Sequence, residues 1–293
     1  MRAVKPEIVK PRKPKMIVFG PPKSWKSRLA LQFPMNYYID TESGATQPHY
    51  RQDLIDAGGV YMGVEQGSQD IATVIEEIKW LRTNKHDFKA VTLDSLSKLC
   101  NVGFWTEEAR MIDAGISIEY GANKKPTMRQ VRRLWSLLET LDMTVILCCH
   151  EKDLWEGKGK ERGVVGKTFD AWEKLEYEMD LVCQSRRLGA TATMTVTASR
   201  YKQFPIGTSI PMDYKVFAQA YGQEIIEKPS EPVTPIRQDQ LEEITRLVDL
   251  LKIPSEAIDK WLTKAKSEEL EDLTKEQGDS LLADLNKKLK GEK

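Results

Sequence analysis

The 293-residue chain has no apolar run approaching the roughly 18 residues that a membrane-spanning helix needs. Its first residues, Met1-Arg-Ala-Val-Lys-Pro-Glu7, lack a signal-peptide hydrophobic region, so a cytoplasmic location with no membrane partner is expected. It also lacks an excess of charge: 44 Lys and Arg against 44 Asp and Glu leave a formal net charge of zero. A globally basic nucleic-acid binder is thereby excluded, and any such contact must come from local patches. Cysteine is scarce. Cys100, Cys148, Cys149 and Cys183 form no C-x-x-C pair and have no histidine spacing, which argues against a zinc site or a disulfide framework. Cys148 and Cys149 are neighbours in an apolar run and are expected to pack in a core. With 40% apolar and 30% charged residues, the chain can form one domain of about 200 residues plus a smaller one.

What is present begins with Gly20-Pro-Pro-Lys-Ser-Trp-Lys-Ser27. This segment fits the phosphate-loop pattern G-x-x-x-x-G-K-[ST] at Gly20, Lys26 and Ser27, but Trp25 stands where the second glycine belongs. Met16–Phe19 reads as a buried strand before the loop, and residues 27–32 as the first turns of a helix after it. In that context the loop amides of Gly20, Pro21, Pro22, Lys23, Ser24 and Trp25 and the helix start would surround a phosphate. Pro21 and Pro22 contribute backbone shape rather than N–H donors. Lys26 would act as a point charge and Ser27 as a Mg²⁺ ligand. The second glycine often has positive φ, so Trp25 is expected to carry backbone strain of about 1–3 kcal/mol and to point its ring outward, over a ribose or base.

Three more apolar runs end in polar residues: Asn36–Ile39 before Asp40-Thr41-Glu42, Ala90–Leu93 before Asp94-Ser95, and Thr144–Cys149 before His150. Parallel strands with polar C-terminal ends converge on one crevice, the ligand site of open α/β sheets. A helical stretch follows Gly44, through residues 47–54.

These motifs resemble the RecA-like recombinase ATPases over roughly residues 14–222. In size and motif order the chain is similar to the short phage RecA-like proteins, one of the Sak groups of single-strand annealing proteins. The resemblance implies an α/β RecA-like P-loop NTPase core with a mainly parallel sheet, using ATP and Mg²⁺. By the same likeness Glu42 activates the attacking water, Asp94 is the Walker B acid that holds Mg²⁺ with Ser27, and His150 senses the γ-phosphate. Arg200 and Lys202 resemble paired basic residues projected into a neighbouring subunit's site, which implies a homo-oligomer, ring or filament. The setting implied is a phage-infected or prophage-bearing bacterial cell.

Residues 1–14 read as a basic, proline-broken, mobile arm, and residues 15–226 as the ATPase core. Residues 69–81, 96–111 and 128–141 have apolar positions at helical spacing, and with the strands they give βα repeats. Core packing is expected of Trp80, Trp105 and Trp135 on these helices. Residues 151–168 read as a long, flexible, mostly basic glycine loop. By the resemblance it occupies the place of a single-stranded DNA contact, with Lys158, Lys160, Arg162 and Lys167 for phosphates and Trp155 for stacking on a base. An ordinary solvated loop is the plain alternative. Residues 179–183 and 192–198 read as a hairpin that delivers Arg200 and Lys202 beyond its end.

Glu227–Ile236 holds three prolines and reads as a semi-stiff linker. Residues 238–251, 255–264 and 274–289 read as three helices, a small all-α domain over 237–293 suited to a protein partner through its mixed charges. The expected function is an ATP-hydrolysing, DNA-dependent protein acting on single-stranded DNA in recombination or annealing. The alternatives are an annealing module that keeps nucleotide as a structural ligand and a ring helicase or loader.

Overall fold

The computed structural model describes residues 11–158 and 161–290. Its elements begin with β1 (Lys15–Gly20), α1 (Lys26–Ala30), β2 (Asn36–Asp40), α2 (Pro48–Asp56) and β3 (Val60–Met62). Next come α3 (Ile71–Thr83), β4 (Ala90–Asp94), α4 (Leu96–Asp113), α5 (Lys124–Thr140), β5 (Thr144–Glu156) and β6 (Gly163–Phe169). Then follow α6 (Leu175–Glu178), β7 (Leu181–Leu188), β8 (Thr191–Ser199), β9 (Ser209–Pro211), α7 (Tyr214–Tyr221) and α8 (Gln223–Ile226). The last three are α9 (Gln238–Leu250), α10 (Ser255–Ala265) and α11 (Lys275–Leu289).

One sheet runs β3-β2-β4-β5-β1-β7-β8-β9, with β6 attached to β5. From β2 to β7 the neighbours are parallel, while β6, β8 and β9 pair antiparallel. The expected mixed α/β fold with a mainly parallel sheet and a C-terminal helical region is what forms. The parallel strands are near-continuous apolar runs, buried along all of β1 and β4, as such a sheet requires. Register sets the site: Asp40 lies beside Asp94, Asp94 beside Cys148, and Gly20 beside His150.

Contacts divide the chain into two compact units. The first holds the described residues of Met1–Tyr61, Asp87–Ser95 and Asp142–Ser230. Its core gathers Met16, Val18, Leu29, Phe33, Ile146 and Met194, and Phe204 stacks on Phe217 at 5.3 Å between centroids. The second unit holds those of Met62–His86, Leu96–Leu141 and Glu231–Lys293. There Ile244, Leu247, Leu262, Leu273, Leu281 and Leu285 form an apolar cluster. Helix α5 meets the C-terminal segment through ion pairs of Arg129 with Glu269, Arg132 with Glu268 and Arg133 with Asp272. The three C-terminal helices thus share a unit with α3 to α5, whereas the sequence pattern divides them at the proline-rich linker. Three backbone bonds tie the second half of that linker within the unit: Val233 N to Arg82 O, Ile236 N to Leu273 O and Lys275 N to Thr234 O.

Three expectations need correction. Of residues 151–168, the described ones contribute to a β-hairpin rather than a flexible loop: β5 runs on past His150 and pairs with β6, Glu151 opposite Phe169 and Glu156 opposite Gly163. Cross-strand pairing, including the Lys167–Asp153 ion pair at 2.5 Å, orders a stretch that shows no apolar period. Trp80 and Trp105 are 45% and 59% exposed rather than core residues, and only Trp135 of the three is buried. Finally, the basic arm does not extend to residue 14. Lys13 is buried and donates to Asp142 O at 3.1 Å, and Pro14 O accepts from Val145 N at the start of the β1–β5 register. Residues 1–10 of the arm lie outside the described residues.

Candidate active site

The loop between β1 and α1 is built on a close approach. A Cβ at Gly20 would meet Ser185 Oγ at 2.3 Å and Ser185 O at 2.5 Å, so β7 leaves room for glycine alone. Ser185 Oγ donates to Phe19 O at 3.1 Å, so in the 2.6 Å contact between Ser24 and Ser185 the Ser24 hydroxyl is the donor. Trp25 sits at φ 73° and ψ 16°, the left-handed conformation that the missing glycine would favour. Its indole carries Arg28 at 4.2 Å and Arg187 at 5.3 Å from the ring centroid. The Lys26 ammonium donates to Gly20 O at 3.0 Å and Pro21 O at 2.9 Å, so it lies inside the loop. Pro22 and Lys23 are exposed at the loop's turn.

Polar groups on one face of β2 and β4 lead to this loop. Asn36 Nδ2 donates to Thr92 Oγ1 at 2.9 Å, and the Tyr38 hydroxyl donates to Asp94 Oδ2. Both bonds run diagonally, two residues along the register. Asp94 also hydrogen-bonds the Ser27 side chain. Burial raises the Asp94 pKa, and the bonds from Ser27 and Tyr38 oppose that rise.

Asp40 shapes the turn that carries Glu42. Its carboxylate accepts from Glu42 N at 3.0 Å, Gly44 N at 3.2 Å, Ala45 N at 2.9 Å and the Tyr61 hydroxyl at 3.0 Å. Thr41 fastens β2 to β4, donating to Ser95 O at 3.0 Å and accepting from Ser95 N at 2.8 Å. Glu42 therefore faces Ser95, whose hydroxyl donates to its carboxylate, and His150, whose Nε2 lies 2.5 Å from the same Oε1. The His150 hydrogen bond is the main cause that lowers the Glu42 pKa, and the Glu42 bond is the main cause that raises that of His150.

The structure thus brings Gly20–Ser27, Glu42, Asp94 and His150 together at the C-terminal ends of β1, β2, β4 and β5. It places Arg200 and Lys202 elsewhere. β8 ends at Ser199 beside Leu181, the first residue of β7, at the opposite end of the strands from the loop. There the Arg200 guanidinium donates to Tyr177 O and, at 3.3 Å, to Glu178 O, and it pairs with Asp180 at 3.4 Å. Lys202 is exposed. The hairpin β5–β6 displays Trp155, 51% exposed, with Arg162 at 5.4 Å from its ring centroid. Lys158 is exposed at the hairpin's end, Lys167 is paired with Asp153, and Lys160 lies outside the described residues.

Tyr38 and Ser185 are site residues that the motif reading passes over, and Asp40, Thr41 and Ser95, read only as polar strand ends, are what hold Glu42 and join β2 to β4. Asp40 and Thr41, ahead of Ser43-Gly44, carry the composition of a side-chain-capped turn. No sequence signal marks Tyr38 or Ser185, because their partners follow from strand register.

Mg²⁺ fits this donor set. The hard cation is commonly held by one or two protein oxygens plus substrate phosphates, and the Ser27 hydroxyl against the Asp94 carboxylate supplies such a pair. Among the described residues there is no cluster of three His, Cys, Asp or Glu that would hold a metal unaided. No helix among them is long and apolar enough to cross a membrane.

No curated protein matches the chain. A family model described as AAA domain matches residues 12–204, most of the chain and all the residues from the loop to the hairpin beyond β7. The chain belongs to this AAA domain family and carries its P-loop, nucleotide-binding ATPase fold.

Proposed function

We propose that the protein binds and hydrolyses ATP with Mg²⁺ and couples this to single-stranded DNA in strand annealing or recombination, as a homo-oligomer. The observation that carries the hydrolytic part is the meeting of Glu42, Ser95 and His150 beside Lys26, Ser27 and Asp94. Mg²⁺ bound with the nucleotide supplies charge neutralisation at the phosphate oxygens. With nucleotide bound, Lys26 would turn from the Gly20 and Pro21 carbonyls to phosphate oxygens, and Ser27 and Asp94 would hold the cation. Glu42 orients and deprotonates water. Ser95 and His150 hold that carboxylate in place in the structure; with nucleotide bound, His150 would exchange Glu42 for a γ-phosphate oxygen while Ser95 keeps the carboxylate aligned.

The DNA part rests on the hairpin. It continues the strand that bears His150, so a change at the phosphate has a direct path to Trp155, Lys158 and Arg162. An exposed indole flanked by a guanidinium suits stacking on bases and contact with phosphates. Arg200 and Lys202 would act on a neighbouring protomer that approaches the N-terminal end of β7, and the C-terminal helices would receive a protein partner. The second reading, an annealing module with nucleotide as a structural ligand, draws support from Lys26, which already satisfies itself on two loop carbonyls.

The test is ATP hydrolysis with Mg²⁺, with and without single-stranded DNA. Stimulation by DNA that disappears in Lys26→Ala is the expected result. ATP binding without turnover, with or without DNA, would leave the annealing module.

A further inference from the structure

Beside the phosphate loop lies a cleft of about 340 Å³ lined by Trp25, Arg28, His49, Tyr50, Asp53 and Arg187. Its volume falls at the lower end of the ~300–1,000 Å³ typical of small-molecule sites. Three features of this wall bear on what it takes. The indole that replaces the loop glycine holds two guanidiniums near one ring, an arrangement of like charges. Neither the Arg28 guanidinium nor the Asp53 carboxylate has a hydrogen-bond or ion-pair partner among the described residues. In the same lining, the His49 and Tyr50 ring centroids lie 4.1 Å apart and supply further aromatic surface. The wall therefore offers stacking planes, donors and an acceptor, the combination that holds a nucleobase.

We propose that this cleft is a purine-base subsite in which the base stacks on Trp25, with Arg28, Asp53 and Arg187 meeting its polar edge. The proposal rests on the reading of residues 20–27 as the nucleotide's phosphate site. Trp25 is covalently next to Lys26, so a base tethered through its ribose to phosphates in the loop arrives at this wall. Trp25 then serves the loop twice. Its left-handed backbone takes the conformation left by the absent glycine, and its side chain recovers binding from the base. The base would shift one of the two guanidiniums from the indole and leave the other beside it.

Calorimetry with Mg²⁺ compares ATP with inorganic triphosphate, which has the phosphates and no base, on wild-type protein, Trp25→Gly and Trp25→Phe. ATP is expected to bind wild type about tenfold more tightly than triphosphate, the scale of one stacked base. The ratio of ATP to triphosphate affinity should persist in Trp25→Phe and vanish in Trp25→Gly; because each variant is compared with triphosphate on itself, any gain in phosphate affinity from relieving the strain at residue 25 cancels in that ratio. Tryptophan emission should be quenched by ATP and not by triphosphate in wild type, and the quenching should be absent in Trp25→Phe. Equal affinity of wild type for ATP and triphosphate overturns the base subsite and leaves the phosphate loop standing. An ATP advantage that survives in Trp25→Gly overturns it too, since the base then rests elsewhere. Trp25-dependent quenching by an oligodeoxynucleotide without nucleotide would give the cleft to DNA. If neither ATP nor triphosphate binds, the proposal falls together with the phosphate-loop reading.

Discussion

In the sheet-bearing unit the buried charges stand at strand ends and are fixed by backbone register. In the helical unit they stand on helices or in the turn between α10 and α11 and are fixed by other side chains. Asp94 shows the first arrangement: it is buried, clamped by Tyr38 and Ser27, and raised in pKa because burial disfavours its charge. Asp272 shows the second, its side chain wholly buried against Arg133 at 2.7 and 3.0 Å, with Lys79 at 3.9 Å. The first arrangement leaves a carboxylate short of positive charge, ready for a cation. The second is complete in itself. The difference separates a site from a scaffold, and four measurements test it.

The largest effect belongs to Asp272→Ala. Removing one partner of a buried ion pair leaves the other charge uncompensated, at a cost of about 3–5 kcal/mol. Arg133 keeps Glu271 and is 20% exposed, so about 3 kcal/mol is expected. Hydrogen exchange of the α5 and α11 amides should report that loss while the amides of β1 and β4 keep their protection. Uniform weakening of both sets would show that the two units do not hold their charges independently.

Glu42→Gln comes next. A positioned general base contributes about 10² or more in rate, near 2.7 kcal/mol at 1.36 kcal/mol per tenfold. Turnover should fall by that factor with nucleotide affinity retained and stability lowered only by the partly exposed Glu42–His150 pair, about 0.2–1 kcal/mol, because the turn itself is organised by Asp40. Turnover equal to wild type would remove Glu42 from the role of base.

Much of this site is legible in the sequence, for physical reasons. Buried parallel strands must be apolar throughout, so β1, β2, β4 and the first half of β5 announce themselves, and the polar residue ending each run marks the crevice. The hairpin β5–β6 is hidden, because Glu151–Glu156 and Gly163–Phe169 are polar and glycine-bearing, and their order comes from pairing across strands. β3 and β9 have three residues each, too few for a period to show. The clamp of Tyr38 on Asp94 depends on a register no local pattern encodes. Trp80 and Trp105 mislead because large aromatics usually supply core; here one stacks on His86 and the other lies under Lys98.

The Glu42–His150 pair responds to pH on both sides. His150, with its pKa raised above 6.5, adds stability that is fully present below the unfolded value and is lost as pH rises through the folded one. Glu42, lowered from 4.5, adds stability that is present above that value and is lost as pH falls through its folded pKa. The pair is therefore intact between those limits. Among the imidazoles of His49, His86 and His150, titration by NMR should place that of His150 above its ordinary value. Glu42→Gln should bring that midpoint down. A His150 midpoint indifferent to Glu42→Gln would mean that the contact does not persist in solution.

The smallest effect is expected at the rim of the helical unit. Arg129 meets Glu269 at 2.9 Å, a distance as good as many buried pairs, but Arg129 is 64% and Glu269 34% exposed. Water screens such a pair, and ordering two long side chains offsets most of the Coulomb gain, so double-mutant cycles of exposed pairs give about 0.2–1 kcal/mol. A cycle with Arg129→Ala and Glu269→Ala should return a coupling under about 1 kcal/mol that fades at 1 M salt, where the screening length is about 3 Å. The Arg133–Asp272 coupling should survive that salt, since Asp272 is closed to solvent. A coupling at Arg129 as large and salt-resistant as that at Arg133 would mean that geometry, and not burial, sets the strength of the contact between α5 and the C-terminal segment.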